Sequence, residues 1–266
     1  MTAGTPRRRP GPPVVPPALP GRLKAAPTEA VSLESTIREN LEAVRDRLRR
    51  AAERAGRDPA TVRLVAISKT FGAEHVRAAA AAGQVDFGEN RVQEALQKIT
   101  ETADVKIRWH LVGHLQSNKA RKAAGAFAVI HSIDNLELLQ RLDRDAAAEG
   151  TSPEVLVQVD LASEATKFGA PLDEARAIVR AAAECRAVKL AGLMLLPPLL
   201  ENPEDVRPYF ARLRTLGDEL VNEGVPAPLL HELSMGMSHD FEVAVEEGAT
   251  MVRIGTLIFG ARAAAT

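Results

Sequence analysis

The sequence predicts a single (β/α)8 TIM-type barrel of the α/β class, preceded by one N-terminal helix. Three observations carry that expectation. Eight short apolar runs alternate with stretches of helical period, glycines sit where those helices should stop, and residues 28–266 are about the length of one barrel domain. Strands alternating with helices imply parallel pairing through right-handed crossovers. A doubly wound open sheet is the alternative, because counting strands does not show closure.

Taken in order, residues 1–27 stand apart: they hold eight of the 17 prolines and the triplet Arg7-Arg8-Arg9. Proline interrupts Pro10 to Pro20 too often for the apolar core of a secretory signal. A disordered tail is expected there, with the barrel assigned to 28–266. From Ser32 the pattern turns helical: Leu33, Ile37, Leu41, Val44, Leu48 and Ala52 recur three or four apart, and Gly56 follows as a stop. The strand candidates are Val62–Ile67, Gln84–Phe87, Ile107–Val112, Ala128–Ile130, Glu154–Asp160, Val188–Leu193, Leu229–Leu233 and Thr250–Ile254. Gly83, Gly125, Gly150, Gly224 and Gly248 stand at the predicted helix ends, where a left-handed C-cap favours glycine.

Composition removes several classes of function. A net charge of -1 gives no electrostatic case for nucleic acid or an anionic membrane. The single cysteine, Cys185, excludes an intrachain disulfide and fits a reducing cytosol, so a cytoplasmic protein is expected. No apolar run approaches a membrane span. His110 and His114 are four apart but straddle a strand end and Gly113, and with no HExxH a metal site is not expected. There is no Walker A sequence and no GxGxxG fingerprint. Lys119, Arg121 and Lys122 read as a solvated helix face.

The reactive candidates cluster at strand ends, where barrels place their chemistry. Lys69 ends the first apolar run and shares strand parity with Val65 and Ile67. If that face looks into the barrel, burial favours the neutral amine, which can attack an aldehyde to form a Schiff base. Ser234-Met235-Gly236-Met237-Ser238 follows the seventh candidate and leads into a helix, and Gly255-Thr256 follows the eighth. Hydroxyls, close-approaching glycines and helix N-termini at these two positions suit a phosphate. Arg253, flanked by Val252 and Ile254, either pairs with a buried carboxylate or donates to a pyridine nitrogen and keeps it unprotonated. Asn90 either caps the helix after the second strand or hydrogen-bonds a ring oxygen. Glu89 is placed to pair with a cation. Met194 is core packing or one wall of a ring pocket. An amine and an anion-receptive turn together suit pyridoxal 5'-phosphate.

Six motifs, in order from about residue 33 to the end, resemble the pyridoxal phosphate homeostasis proteins. They are Ala66-Ile67-Ser68-Lys69, Phe87-Gly88-Glu89-Asn90, Trp109 to Gln116, Gly192-Leu193-Met194, Leu233 to Ser238 and Val252 to Gly260. The resemblance implies a barrel like that of alanine racemase, Lys69 as the Schiff-base lysine, Ser234, Gly255 and Thr256 around the phosphate, and Arg253 at the pyridine nitrogen. Arg91 departs from the aromatic residue expected after Gly-Glu-Asn, and Ala162 to Gly169 matches the family's polar loop only loosely.

Three functions fit such residues: a non-catalytic binder that buffers the cofactor, an amino-acid racemase, and a class I aldolase-type barrel. Racemases of this fold take a second base, a tyrosine, from an added β domain. Here the sole tyrosine, Tyr209, lies in a helical stretch, and the sequence runs about ten residues past the eighth strand. An arginine opposing ring protonation also makes a poor electron sink. The expected function is therefore the binder, with no catalytic residues, PLP-dependent apoenzymes as candidate partners, and a monomer as the expected state.

Overall fold

The computed structural model describes residues 1–2, 32–162 and 168–261. The chain divides into two units, Met1–Val31 and Ser32–Thr266. The tail expectation, and most of the polar loop near 163–167, lie outside the described residues. In the second unit eight parallel strands close into a barrel in sequence order. They are β1 Arg63–Ile67, β2 Asp86–Glu89, β3 Arg108–Leu111, β4 Val129–Ile133, β5 Glu154–Val159, β6 Lys189–Leu195, β7 Glu232–Met237 and β8 Met251–Ile254. Closure comes from β1 pairing with β8, Arg63 opposite Met251 through Ala66 opposite Ile254. The open-sheet alternative is thereby removed.

Helices α1 Leu33–Arg54, α2 Ala73–Ala81, α3 Val92–Glu101, α4 Ala120–Ala126, α5 Leu136–Glu149, α6 Leu172–Ala183, α7 Arg207–Asn222, α8 Phe241–Glu246 and α9 Thr256–Phe259 surround the strands. Ser32 caps α1 by accepting from the Ser35 N–H, and Ile37, Leu41, Val44 and Leu48 form its buried stripe. Because α8 and α9 are short, α1 completes the outer layer beside β8: Asn40 donates to the Ile258 carbonyl at 2.9 Å, and Arg47 pairs with Glu242 at 2.9 Å. Leu33, expected on the stripe, is exposed.

Strand parity sorts the core into two layers. Leu64, Ala66, Phe87, Trp109, Leu111, Ile130 and their counterparts pack outward against the helices. Val65, Ile67, Val112, Val129, Leu156, Ala191, Met194 and Met251 fill the barrel interior. Both strand faces are buried, so the sequence shows apolar runs rather than clean alternation.

Several sequence expectations shift, the fourth and sixth strands running on to Ile133 and Leu195. The second strand starts at Asp86, two residues late, because Gln84 folds inward to donate to the carbonyls of Leu64 and Asp86 at 2.7 and 2.8 Å. The seventh starts at Glu232, because Pro226 and Pro228 set a 3-10 turn over Ala227–Leu229. It then runs through Met237, so Ser234 to Met237 belong to the strand and not to a following loop. Gly125 lies inside α4, which ends at Ala126 with Phe127 in extended conformation as its cap. Gly83, Gly150, Gly224 and Gly248 do take positive φ after their helices. Cys185 lies just beyond α6, half-buried, and burial raises its thiol to about 11, which leaves it unreactive near neutrality.

Candidate functional site

The inward parity of β1 runs through Val65 and Ile67 toward Lys69, which follows the strand at its C-terminal end. The chain turns sharply there. The Phe71 N–H donates to the Ser68 carbonyl at 3.1 Å, placing Lys69 and Thr70 at the centre of a β-turn. Thr70 has φ 71°, a conformation costing a β-branched residue on the order of 1–2 kcal/mol. Strain at this point is held by a clamp on Ser68. The Ser68 hydroxyl donates to Glu89 Oε1 at 2.6 Å, and Lys98 Nζ donates to the Ser68 carbonyl at 2.7 Å and to Glu89 Oε1 at 2.6 Å. Glu89 and Ser68 are fully buried. The other carboxylate oxygen, Oε2, is buried with no hydrogen-bond partner among the described residues. Glu89 thus meets a cation as expected, and that cation is a buried lysine on the inner stripe of α3.

On the far side of the closure, Arg253 of β8 points into the barrel and is buried. Its guanidinium donates from Nη1 to Ser234 Oγ at 2.6 Å and from Nη2 to the Leu195 carbonyl at 2.8 Å. No carboxylate pairs with it among the described residues, so the buried ion pair considered from sequence is not what holds it. Burial pulls the guanidinium down to about 10, still protonated at neutral pH. Asp240 is the anion that favours its charge, but burial raises that carboxyl's own pKa, and Asp240 is engaged by the Met237 N–H at 2.6 Å.

Ser234 sits inside β7 rather than on a turn, and behind it runs a line of polar contacts through the barrel. His131 Nδ1 lies 2.8 Å from Ser234 Oγ, His131 Nε2 lies 2.9 Å from His110 Nδ1, and His110 Nε2 lies 2.8 Å from Asp86 Oδ1. Arg108 binds both oxygens of Asp86. Burial works against ionisation of Asp86, yet the bonds from His110 and Arg108 outweigh it and hold the carboxyl at about 2. Burial lowers the pKa of both histidines, and Arg253 and Arg63 lower His131 further.

At the mouth, Gly236 has φ +91°, and a Cβ there would stand 2.5 Å from the Ala244 Cβ and 3.0 Å from the Phe241 Cα. Only glycine lets β7 end this close to α8. Gly255 caps α9 without side-chain help, and its carbonyl accepts from the N–H groups of Ile258 and Phe259 at 2.9 Å, so the N–H groups of Thr256 and Leu257 at the helix start lie ahead of the first intrahelical bond. A Cβ at Gly255 would lie 3.1 Å from the Ile67 carbonyl, so β8 approaches the end of β1 closely there. Met194 lies in the interior layer level with Ser234, compatible with a pocket wall. Met235 faces the outer core, so its side chain is turned from the interior and it presents its backbone there. Helix α3 is capped at Arg91 without a side-chain bond, so capping does not consume Asn90. Asn90 instead packs on Gly113, where a Cβ would fall 2.3 Å from its carbonyl oxygen, and it lines a cleft of about 330 Å³ with His114 and Phe168.

Lys69, Asn90, Met194, Ser234, Gly236, Arg253, Gly255 and Thr256 therefore come from strand ends or the barrel interior, as their sequence positions imply. Lys98, Asp86, His110 and His131 were not singled out for these roles. Lys98 occupies the Val92, Ala95, Lys98 stripe of an amphipathic helix, and His131 interrupts an apolar strand at inward parity; those were the available signals. His110 and His114 have different surroundings: His114 stacks on Phe168 with ring centroids 3.9 Å apart. The arrangement fits a ligand carrying an aldehyde, an anionic group and a ring acceptor: an amine on a fixed turn, glycine-lined backbone donors, and a guanidinium anchored from behind.

Residues 40–263 match the family described as alanine racemase, N-terminal domain. Curated relatives named pyridoxal phosphate homeostasis protein include one from Aquifex aeolicus strain VF5, 46% identical over 224 residues covering 84% of this chain and 97% of the relative. Another, from Pseudomonas aeruginosa PAO1, is 47% identical over 228 residues covering 86% and 96%. Among solved structures, PipY of Synechococcus elongatus PCC7942 with PLP bound superposes with a TM-score of 0.76 at 42% identity, covering 84% of this chain and all of PipY.

Proposed function

Because this chain belongs to the pyridoxal phosphate homeostasis protein family, we propose that it binds pyridoxal 5'-phosphate at the barrel mouth, anchors it through Lys69, and buffers it in the cytoplasm without turning over a substrate. The observation that carries this reading is Arg253: a buried guanidinium held by Ser234 and the Leu195 carbonyl, with no carboxylate pairing it among the described residues. Such a group is oriented to donate to a neutral acceptor.

When bound, the cofactor supplies an aldehyde carbon to an amine and an electron-poor ring; the chain's residues decide what that ring can do. The Glu89–Lys98–Ser68 clamp fixes the backbone from which Lys69 reaches inward. Arg253 keeps the ring nitrogen unprotonated, because a pyridinium beside a guanidinium is repelled. The ring's capacity to stabilise a carbanion is then low, which supports binding without catalysis. Gly236 near the end of β7, with Gly255 and Thr256 after β8, would receive the phosphate on backbone N–H groups and the Thr256 hydroxyl. Asn90 meets the ring oxygen, and Met194 walls the ring. Tyr209 lies in α7, packed against the outer core and not in the interior layer.

An absorption spectrum of purified protein, followed by borohydride reduction and peptide mapping, tests the reading. The expected result is a reduced adduct on the Lys69 peptide, lost in Lys69→Ala while the barrel stays folded. An unchanged adduct in Lys69→Ala overturns the anchor, and sustained Lys69-dependent racemisation of alanine overturns the non-catalytic assignment.

A further inference from the structure

The polar line through the barrel has a direction fixed at both ends. At one end the carboxylate of Asp86 only accepts, so His110 Nε2 carries the proton between them. His110 Nδ1 must then accept from His131 Nε2–H, leaving His131 Nδ1 as an acceptor. At the other end Arg253 only donates, so Ser234 Oγ accepts from it and its own proton turns to His131 Nδ1. Both ends demand the same arrangement. Four contacts hold four protons, both imidazoles are neutral, and no buried polar atom of the line is left over.

We infer that this line is a one-proton relay coupled to occupancy of the site: when an anionic ligand brings an acceptor atom to Ser234, one proton enters the His110–His131 pair and the Ser234 hydroxyl turns to the ligand. The inference rests on the proposed binding of pyridoxal phosphate. The balance is simple, and nothing is oxidised or reduced. The proton between the two rings moves from His131 Nε2 to His110 Nδ1, the entering solvent proton ends at His131 Nδ1, and Ser234 keeps its own. His110 becomes the imidazolium, still donating to Asp86. Ser234 then accepts from both His131 and Arg253, and its hydroxyl proton needs a new acceptor. Without a ligand none is offered, which keeps the neutral arrangement in place.

Charges around the pair explain why occupancy should tip it. Cations face it from three strands, Arg63 of β1, Arg108 of β3 and Arg253 of β8, and the anion in contact is Asp86 of β2. Glu232 of β7 is engaged by Arg63 at 3.3 Å, and Asp240 lies beyond Arg253. On β5 and β6 the inward residues beside the pair, Leu156, Gln158, Ala191 and Met194, do not titrate; Glu154 and Lys189 stand opposite each other at the strand starts, where Glu154 acts with Glu232 on Arg108. An added proton is therefore opposed by burial and by arginines, and an incoming phosphate group offsets that opposition.

The test is histidine-ring 15N NMR on the full chain, free and saturated with pyridoxal phosphate, with the Lys69 adduct checked by mass mapping on the same samples. In the free protein both rings should be neutral Nε2–H tautomers. With ligand, His131 should convert to the Nδ1–H tautomer and His110 to the imidazolium. In His131→Asn, which retains a donor and an acceptor but no titrating ring, the number of protons taken up per ligand, from calorimetry in two buffers of different ionisation enthalpy, should fall by one. An adduct on Lys69 with both rings unchanged overturns the relay and leaves the binding reading standing. Failure to form the adduct overturns both. If His131→Asn does not fold, the wild-type tautomers alone decide.

Discussion

Breaking the clamp beneath Lys69 from one side should separate what it does for stability from what it does for the cofactor. In Lys98→Met the ammonium is lost, and the buried Glu89 carboxylate keeps only the Ser68 hydroxyl as a donor. Glu89 is fully buried and its Oε2 already lacks a partner, so no solvent-facing rearrangement is at hand. Removing one partner of such a pair costs about 3–5 kcal/mol. Replacing both, Glu89→Leu with Lys98→Met, removes the stranded charge. What remains is the Ser68 hydroxyl without its acceptor, worth about 1–3 kcal/mol, since the Ser68 carbonyl still accepts from Phe71. The double variant should thus be more stable than Lys98→Met alone, measurable as a higher urea midpoint at unchanged slope. Attachment of pyridoxal phosphate should not recover with it. Nothing then fixes the Ser68 side chain, the turn bearing Lys69 loosens, and a displacement near 1 Å can cost about a hundredfold in rate. Lys98→Met costing under about 1 kcal/mol, or a double variant that binds as well as wild type, would refute the argument.

Other consequences follow from single groups. Asp86 has its folded pKa depressed to about 2 from 3.8, so its contribution, about 2 kcal/mol, is present above pH 4 and lost as pH falls through 2; Asp86→Asn should flatten acid unfolding in that window. The two histidines are also depressed, so the free protein should lose stability as pH drops below about 6.5, where the unfolded rings take up protons first; His131→Asn should shrink that slope in pH-dependent urea melts. Gly236→Ala should cost at least about 2 kcal/mol from its positive φ and the 2.5 Å contact with Ala244, whereas Gly255→Ala, at negative φ with a 3.1 Å contact, should be milder in thermal melts.

What the sequence made legible and what it hid differ for a physical reason. Strand order, parity and the positions of Lys69, Arg253 and Gly255 follow from local pattern, because each strand end is marked by its own residues. The seventh strand was placed too early because apolar Leu229 and Leu230 resemble a strand start, while the prolines around them fix a 3-10 turn. The relay and the clamp escaped because they are products of closure. Asp86, His110, His131, Ser234 and Arg253 come from five strands and touch only when β1 meets β8 and the inward faces converge. In isolation Asp86 and His131 are unremarkable polar residues in apolar runs, and two-sided burial in a parallel barrel erases the alternation that would show which way they point. The same convergence gives the site its character. Arg253 alone would be a costly buried charge. Held by Ser234, and through it by two neutral rings and a distant carboxylate, it becomes a donor whose strength the far end of the barrel can adjust.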